Sequence, residues 1–160
     1  MSITESVREH LYSKIMVSSR HSMDDLYEKL QPIAEGFIFT DSVTPFAARI
    51  IDDGVLHPME ASFTFGTPRL CHQNSLLRWH ASEGECRFAT GFAYDDVTKM
   101  WYHHSWVIHK GRILETTPVE RTIYWGIDLT DDECKSYLKA VMGNDRDRSE
   151  ERRVGKECFN

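Results

Sequence analysis

The sequence predicts an α+β fold in which helices come first and an antiparallel sheet follows. Apolar residues in the first third recur at every third or fourth position, which is the spacing of an amphipathic helix. From residue 86 onward they alternate with smaller or polar residues, as in strands. Helical patterns therefore precede the strands instead of alternating with them, which is typical of α+β proteins. With 160 residues, 41% of them hydrophobic, we expect one domain over residues 1–147.

The N-terminal third is predicted to contain two helices. The first spans residues 3–17, where every fourth residue is apolar. The second begins at Ser22 and runs to a stop at Gly36. Short extended runs follow at residues 37–39 and 62–65, interrupted by prolines and glycines. This part of the chain is the least regular.

The next part is predicted to hold a helix followed by three strands. The helix runs from residue 71 to 82 and is followed by a glycine, a frequent C-terminal stop. Strands are predicted at residues 86–94 and 100–109. Lys110-Gly111 then indicates a tight hairpin into a strand at residues 112–115.

The last elements before the tail are a short strand and a helix. The strand is predicted at residues 121–125. The helix starts at a capping box formed by Thr130 and Glu133, in which each residue satisfies the backbone N–H of the other.

The C-terminal residues resemble the translation of a widely used sequencing adapter. The match covers the eleven residues 148–158. We therefore expect residues 148–160 to be a non-native, disordered tail, with the natural C-terminus lost near Asp147. The alternative is a natural, charged and solvated tail, for which disorder is also expected.

Composition and charge exclude several classes of function. The net charge is −6 and no basic run occurs, so we expect no nucleic-acid partner. No apolar stretch reaches the length of about 18 residues needed to span a membrane, and no signal peptide is visible. We expect a cytoplasmic protein that does not bind membranes. The four cysteines form no CxxC pair, so free thiols are expected and no metal or cofactor is predicted.

The register of the predicted hairpin selects one histidine and one carboxylate as a pair. If Lys110-Gly111 is a two-residue loop, Trp106 lies opposite Glu115. Side chains alternate between faces, so His104 shares a face with Trp106 and lies diagonal to Glu115 at roughly 7 Å. His103 points the other way. The sequence therefore predicts a hydrogen bond between His104 and Glu115.

A carboxylate-oriented imidazole supplies two of the three groups of a nucleophilic triad. Cys71 is the candidate nucleophile, because it opens a predicted helix whose dipole favours a thiolate. The backbone N–H of Cys71 is positioned to bind an oxyanion, and the side-chain amide of Gln73 or Asn74 is a candidate second donor. The choice between these two amides is left open.

Other interpretations of these residues are also open. A lone cysteine such as Cys71 is often a buried small hydrophobe. His103 is expected to face solvent or to support the site, and His72 is expected to be exposed, with substrate contact as the alternative for both. Trp106 is expected to pack in the core and to cover the predicted catalytic pair of His104 and Glu115, which would limit the solvation of the pair.

The chain resembles the papain-like and transglutaminase-like cysteine enzymes. In these enzymes a cysteine opens a helix, a histidine and a tryptophan follow on a strand, and an acid lies on the next strand. A set of small papain-like proteins also has an acid before Thr-Pro and a segment of two aromatic residues, glycine and an aliphatic residue. The corresponding motifs here occur in the same order, between residues 71 and 129: Cys71-His72-Gln73-Asn74, Gly91-Phe92, His104-Ser105-Trp106-Val107, Glu115-Thr116-Thr117-Pro118 and Tyr124-Trp125-Gly126-Ile127.

The resemblance implies a papain-like or transglutaminase-like core and thiol chemistry on an acyl group. Cys71, His104 and Glu115 would be the triad, although these enzymes usually have Asp or Asn as the third residue. The implied activity is a peptidase, amidase or deamidase that forms an acyl-enzyme, or a transglutaminase-like acyltransferase. The substrate would be a protein, a peptide or a small amide or thioester. Alternatives are a catalytically inactive binding module and a redox-sensing thiol; the oligomeric state is left open.

Overall fold

The computed structural model of the chain describes residues 23–39, 46–57, 61–63, 66, 70–117 and 120–143. The predicted helix over residues 3–17 and the predicted tail over residues 148–160 lie outside these ranges. So do the last two residues of the extended run predicted at 62–65.

The described residues form a mixed α+β structure with four helices and one open sheet of seven strands. The α+β class predicted from the sequence is confirmed. The helices are α1 (Met23–Leu30), α2 (Ala47–Asp53), α3 (Cys71–Ala81) and α4 (Asp131–Gly143). The strands are β1 (Phe37–Phe39), β2 (Val55–Leu56), β3 (Ala61–Phe63), β4 (Cys86–Asp95), β5 (Met100–His109), β6 (Arg112–Glu115) and β7 (Ile123–Asp128).

The sheet is mixed, whereas the sequence analysis predicts an antiparallel one. Its order is β2-β7-β4-β5-β6-β3, and β1 pairs with β5 beside this path. The central pairs are antiparallel, but β1 pairs with β5 and β3 with β6 in parallel. Both parallel strands come from the N-terminal half and reach their partners through long connections, which parallel pairing requires. The expectation of a purely antiparallel sheet is therefore wrong at these two strands.

Among the described residues, strand β5 is paired at both ends of one edge but not between them. Strand β4 covers the other edge along the whole of residues 100–109. On the opposite edge, β1 pairs with residues 100–102 of β5, and β6 pairs with residues 107–109. His104 lies between these two pairings.

The hairpin between β5 and β6 has the predicted two-residue loop. Lys110 and Gly111 both have positive φ, 51° and 75°, which is the conformation of a type I′ turn. Val107 pairs with Leu114 and His109 with Arg112, as expected for this loop length.

The sheet has a different hydrophobic cluster on each face. Alternate residues of β4 and β5 pack against the helices, in a cluster that includes Leu30, Ile50, Leu76, Phe88, Phe92, Trp101 and Val107. The residues between them form the cluster of Ala89, Ala93, Trp106, Ile108, Ile113 and Tyr124 on the opposite face. His103 and Ser105 therefore lie on the helix-covered face, and His104 lies on the other.

Glycines let β7 lie close to β4. Gly91 pairs with Gly126, and a Cβ atom on Gly91 would lie 2.2 Å from the carbonyl oxygen of Trp125. This close approach explains why β7 extends to Asp128 through Gly126, whereas the sequence predicts a strand over residues 121–125.

Two helices differ from the prediction. Helix α1 ends at Leu30 instead of Gly36, because Pro32 disfavours the helical conformation of the residue before it. Helix α2 is not predicted, and its start has no capping signal: the N-cap Phe46 has a φ of 61° and makes no side-chain cap hydrogen bond.

The boundaries of α3 and α4 follow the sequence signals. Helix α3 begins at Cys71, as predicted. At α4 the capping box is formed: the N–H of Thr130 donates to Glu133 Oε1 at 3.0 Å, and the N–H of Glu133 donates to Thr130 Oγ1 at 3.2 Å.

Candidate active site

The predicted pair of His104 and Glu115 is formed. His104 Nε2 lies 2.9 Å and 2.8 Å from the two carboxylate oxygens of Glu115. Both residues are buried, with 3% and 0% of their surface exposed. The hairpin register therefore places the carboxylate against the histidine that the spacing selects.

Donors surround the carboxylate of Glu115. Its Oε1 accepts from the N–H of Thr116 at 3.1 Å, and from the N–H and hydroxyl of Thr117 at 3.3 Å and 3.0 Å. Its Oε2 accepts from the hydroxyl of Tyr124 at 2.7 Å. Burial alone would raise the pKa of Glu115, but the hydrogen bond and charge of His104, with the Tyr124 and Thr117 donors, lower it. The carboxylate is therefore held in its charged form.

The thiol of Cys71 lies at the first residue of α3 and interacts with the rings of His104 and His72. Burial by itself would raise the pKa of the thiol. The charges of His72 and His104 and the hydrogen bonding of their rings instead bring this pKa well below its usual range. The helix dipole acts in the same direction.

The His104 ring carries the complementary positive charge. Burial would lower its pKa, but the interactions with Cys71 and then with Glu115 raise it from 6.5 to about 9. Because Nε2 of His104 is hydrogen-bonded to the Glu115 carboxylate, Nδ1 is the ring nitrogen that can interact with the Cys71 thiol. At neutral pH the arrangement favours a thiolate and imidazolium pair, whose protonation states are coupled.

Trp106 packs beside the pair of His104 and Glu115, and His57 holds it there. Its ring is stacked on that of His104 at 6.2 Å between centroids, with 25° between the ring planes. Its Nε1–H donates to His57 Nδ1 at 3.0 Å, and His57 Nε2 lies 3.5 Å from a carboxylate oxygen of Asp128. Burial lowers the pKa of His57, which favours its neutral form. The sequence analysis misses His57, because it follows a two-residue strand in the irregular part of the chain.

The two amides proposed as oxyanion donors contact other groups. Asn74 Nδ2 donates to the Thr116 carbonyl at 3.4 Å, which fixes the segment after Glu115. Gln73 Nε2 lies 3.7 Å from the sulfur of Met142. Gln73 Oε1 is buried, with no hydrogen-bond partner among the described residues. Each of these NH2 groups has a second N–H, so Gln73 and Asn74 both stay candidate second donors beside the backbone N–H of Cys71.

The neighbouring histidines are less exposed than predicted. His103 is partly buried on the helix-covered face, where its ring packs at 4.5 Å from that of His72 and 5.7 Å from that of Phe92. Its Nε2 is buried without a described partner, and burial lowers its pKa well below the usual range. Of the two alternatives expected for His103, facing solvent is wrong, and support of the site stays a prediction. His72, expected to be exposed, is half-buried, and its Nδ1 contacts the hydroxyl of Ser105.

The other described cysteines, Cys86 and Cys134, are free and buried in a strand and a helix. Burial and nearby acidic residues raise the pKa of Cys134 to about 12. Within the described ranges, no group of three or more side chains could hold a metal ion. None of the described helices has the length and apolar character that crossing a membrane would require.

Comparison of the chain with protein-family models, with curated proteins and with solved structures found no match. The chemistry of the site is therefore inferred from its own residues.

Proposed function

We propose that the protein is a thiol-dependent acyl hydrolase in which Cys71 is the nucleophile, His104 the proton-transfer residue and Glu115 the residue that orients it. The observation that supports this function is the placement of one imidazole between a thiol and a buried carboxylate. A thiolate that is formed in advance can attack a carbonyl carbon without a separate deprotonation step.

The reaction proceeds in two stages. The thiolate of Cys71 attacks the carbonyl carbon of an amide or thioester, and the oxyanion that forms accepts a hydrogen bond from the Cys71 backbone N–H. His104 gives its proton to the leaving group as the bond from carbon to that group breaks. Water then attacks the resulting thioester and the C–S bond breaks, which gives the carboxylic acid, the thiolate and one proton that restores the His104 imidazolium.

We also propose that the core is papain-like. A cysteine at a helix start, a histidine on a strand of the adjoining sheet and an acid on the next strand agree with that arrangement. The third residue is Glu115 here, and its longer side chain is held by Tyr124 and Thr117. The tight set of donors compensates for the additional rotatable bond of glutamate compared with aspartate.

The test is the pH dependence of iodoacetamide labelling at each cysteine, measured by mass spectrometry. We expect Cys71 to be alkylated well below the free-thiol pKa of about 8.5 and to require a higher pH for alkylation in His104→Ala. Cys134, with a pKa of about 12, is the internal control and stays unlabelled in the folded protein.

Two results would overturn the proposal. If Cys71 requires alkaline pH for labelling in the parent protein, the thiol is not activated and a binding role is favoured. If the pH dependence of Cys71 labelling is unchanged in His104→Ala, His104 does not lower the pKa of the thiol; a partial shift is expected, because His72 also lowers this pKa. Formation of an acyl-enzyme from an activated ester distinguishes acyl chemistry from a thiol that only senses oxidants.

A further inference from the structure

Two imidazoles flank the nucleophile, and their polar partners differ. The Cys71 thiol interacts with the rings of both His104 and His72. His104 is bonded to a buried carboxylate, which favours its charged form. The Nδ1 atom of His72 instead contacts the hydroxyl of Ser105. The two rings are therefore suited to different steps.

A chain of hydroxyl groups fixes the proton on one nitrogen of His72. The hydroxyl of Thr90 donates to the carbonyl of His104 at 3.3 Å, so its oxygen can only accept from Ser105. The hydroxyl of Ser105 accordingly donates to Thr90 Oγ1 at 2.9 Å. A hydroxyl has a single proton to donate, so His72 Nδ1 must donate to Ser105. Nδ1 is therefore the donor in this contact, and Nε2 is the ring nitrogen that is left to interact with another group.

Packing holds the His72 ring in this orientation. Its ring lies 4.5 Å from that of His103 and 6.1 Å from that of Tyr137. Ser105 and Thr90 are fully buried on strands β5 and β4, so the acceptor for Nδ1 is also fixed. A ring that is packed against two others and hydrogen-bonded at Nδ1 does not have to be ordered for each turnover.

We propose that His72 Nε2 is the general base that takes a proton from the water that hydrolyses the Cys71 acyl-enzyme. This inference rests on the proposed function. Because Nδ1 of His72 donates to Ser105, Nε2 is the ring nitrogen that interacts with the Cys71 sulfur. The acyl carbon is bonded to that sulfur and therefore lies close to Nε2. Acylation removes the negative charge that favours a protonated Nε2 beside the thiolate. In the acyl-enzyme Nε2 therefore faces an uncharged thioester and, as part of a neutral ring, offers its lone pair to water.

The proton and bond changes balance over the cycle. In acylation the C–S bond forms, the bond to the leaving amine breaks, and the amine takes the proton of His104. In deacylation the water oxygen bonds to the acyl carbon, one water proton goes to His72 Nε2, and the C–S bond breaks to give the thiolate. The product acid ionises and its proton restores the His104 imidazolium, while the proton now on His72 Nε2 replaces the one that the ring released to solvent after acylation.

The test is burst kinetics with 4-nitrophenyl acetate on the full chain and on His72→Asn. The asparagine amide can still donate to Ser105 but has no basic nitrogen. Because 4-nitrophenolate leaves without needing a proton, the burst reports acylation and the later linear phase reports deacylation. We expect a burst of one 4-nitrophenolate per protein in both forms. In His72→Asn the linear phase is expected to slow about a hundredfold, with acetylated Cys71 accumulating in mass spectra.

His80→Asn is the matched control, since His80 is an exposed histidine of the same helix, and we expect both phases to match those of the parent protein. Added imidazole should restore the linear phase of His72→Asn beyond its effect on this control. His72→Gln provides the same readout if the asparagine variant does not fold.

The possible failures are distinguishable. An unchanged linear phase, or a burst and linear phase that fall together, would show that His72 is not the base for deacylation. A parent protein without any burst at Cys71 would instead refute the proposed acyl chemistry itself.

Discussion

Replacing Glu115 by glutamine tests whether the Glu115 carboxylate stabilises the positive charge of the His104 imidazole. Glutamine keeps the shape of the side chain, and its Oε1 can accept from the Thr117 donors and from His104. The Tyr124 hydroxyl, which donates to Oε2 in the parent protein, can rotate to accept from the new amide. The variant therefore removes the negative charge while keeping the hydrogen-bonding groups of the site.

The size of the effect follows from the pKa of His104. This pKa is raised from 6.5 to about 9. The difference corresponds to about 3 kcal/mol in favour of the imidazolium, at 1.36 kcal/mol per unit. The interactions of His104 with Cys71 and Glu115 together provide this stabilisation and also offset the cost of burying the charged ring. Because burial alone would lower this pKa, the two partners together supply more than this net amount, and Glu115→Gln should lower the pKa of His104 by about one unit or more.

The direction in pH follows from the sign of this shift. A raised pKa keeps His104 charged as the pH increases, and the imidazolium is lost as the pH passes about 9. In Glu115→Gln it should be lost at lower pH. The pKa of the Cys71 thiol should rise in the same variant, since its cationic partner is weaker.

The assay is an NMR titration of the histidine ring protons. The His104 signal is identified by its absence from His104→Ala. Cys71→Ser measures the share of the thiolate in the same way, so the two contributions can be compared directly. A His104 midpoint that stays at about 9 in Glu115→Gln would refute the reasoning, because the charge of the ring would then not depend on the carboxylate.

Three further predictions concern stability, each measured as the free energy of unfolding in urea. Tyr124→Phe removes a 2.7 Å hydrogen bond to the Glu115 carboxylate and should cost about 2 kcal/mol; no loss would mean that the carboxylate finds another donor. Gly91→Ala places a Cβ 2.2 Å from the Trp125 carbonyl oxygen and should cost about 3 kcal/mol, so a neutral result would contradict the close strand packing. Thr130→Ala removes the N-cap of α4 and should cost about 1 kcal/mol; an unchanged value would indicate that water replaces the cap.

The pairing of His104 with Glu115 could be predicted because it depends on local geometry. Lys110-Gly111 favours a two-residue loop, and a loop of this length fixes which residues lie opposite each other. The start of α4 could be predicted for the same reason, since the capping box is a local signal. Each of these features lies within a few residues of the pattern that predicts it.

Features that depend on distant parts of the chain could not be predicted. The parallel pairings of β1 and β3 join segments separated by long connections. The sequence patterns of these strands do not indicate which strands they pair with. The contact of Trp106 with His57 joins residues 49 positions apart. The proton placement on His72 requires hydroxyls from two strands, Thr90 and Ser105, which become ordered only in the folded sheet.

The type I′ turn at Lys110-Gly111 restricts how this protein can change during evolution. The turn contributes no side chain to the site, and its two positions can accept other residues that adopt a positive φ. An insertion or deletion that moved the ladder by one residue would turn Glu115 to the opposite face of the sheet, away from His104. Related proteins that keep the proposed activity should therefore vary in the residue types of this loop but not in its length. A loop of different length would indicate that a related protein has lost the triad.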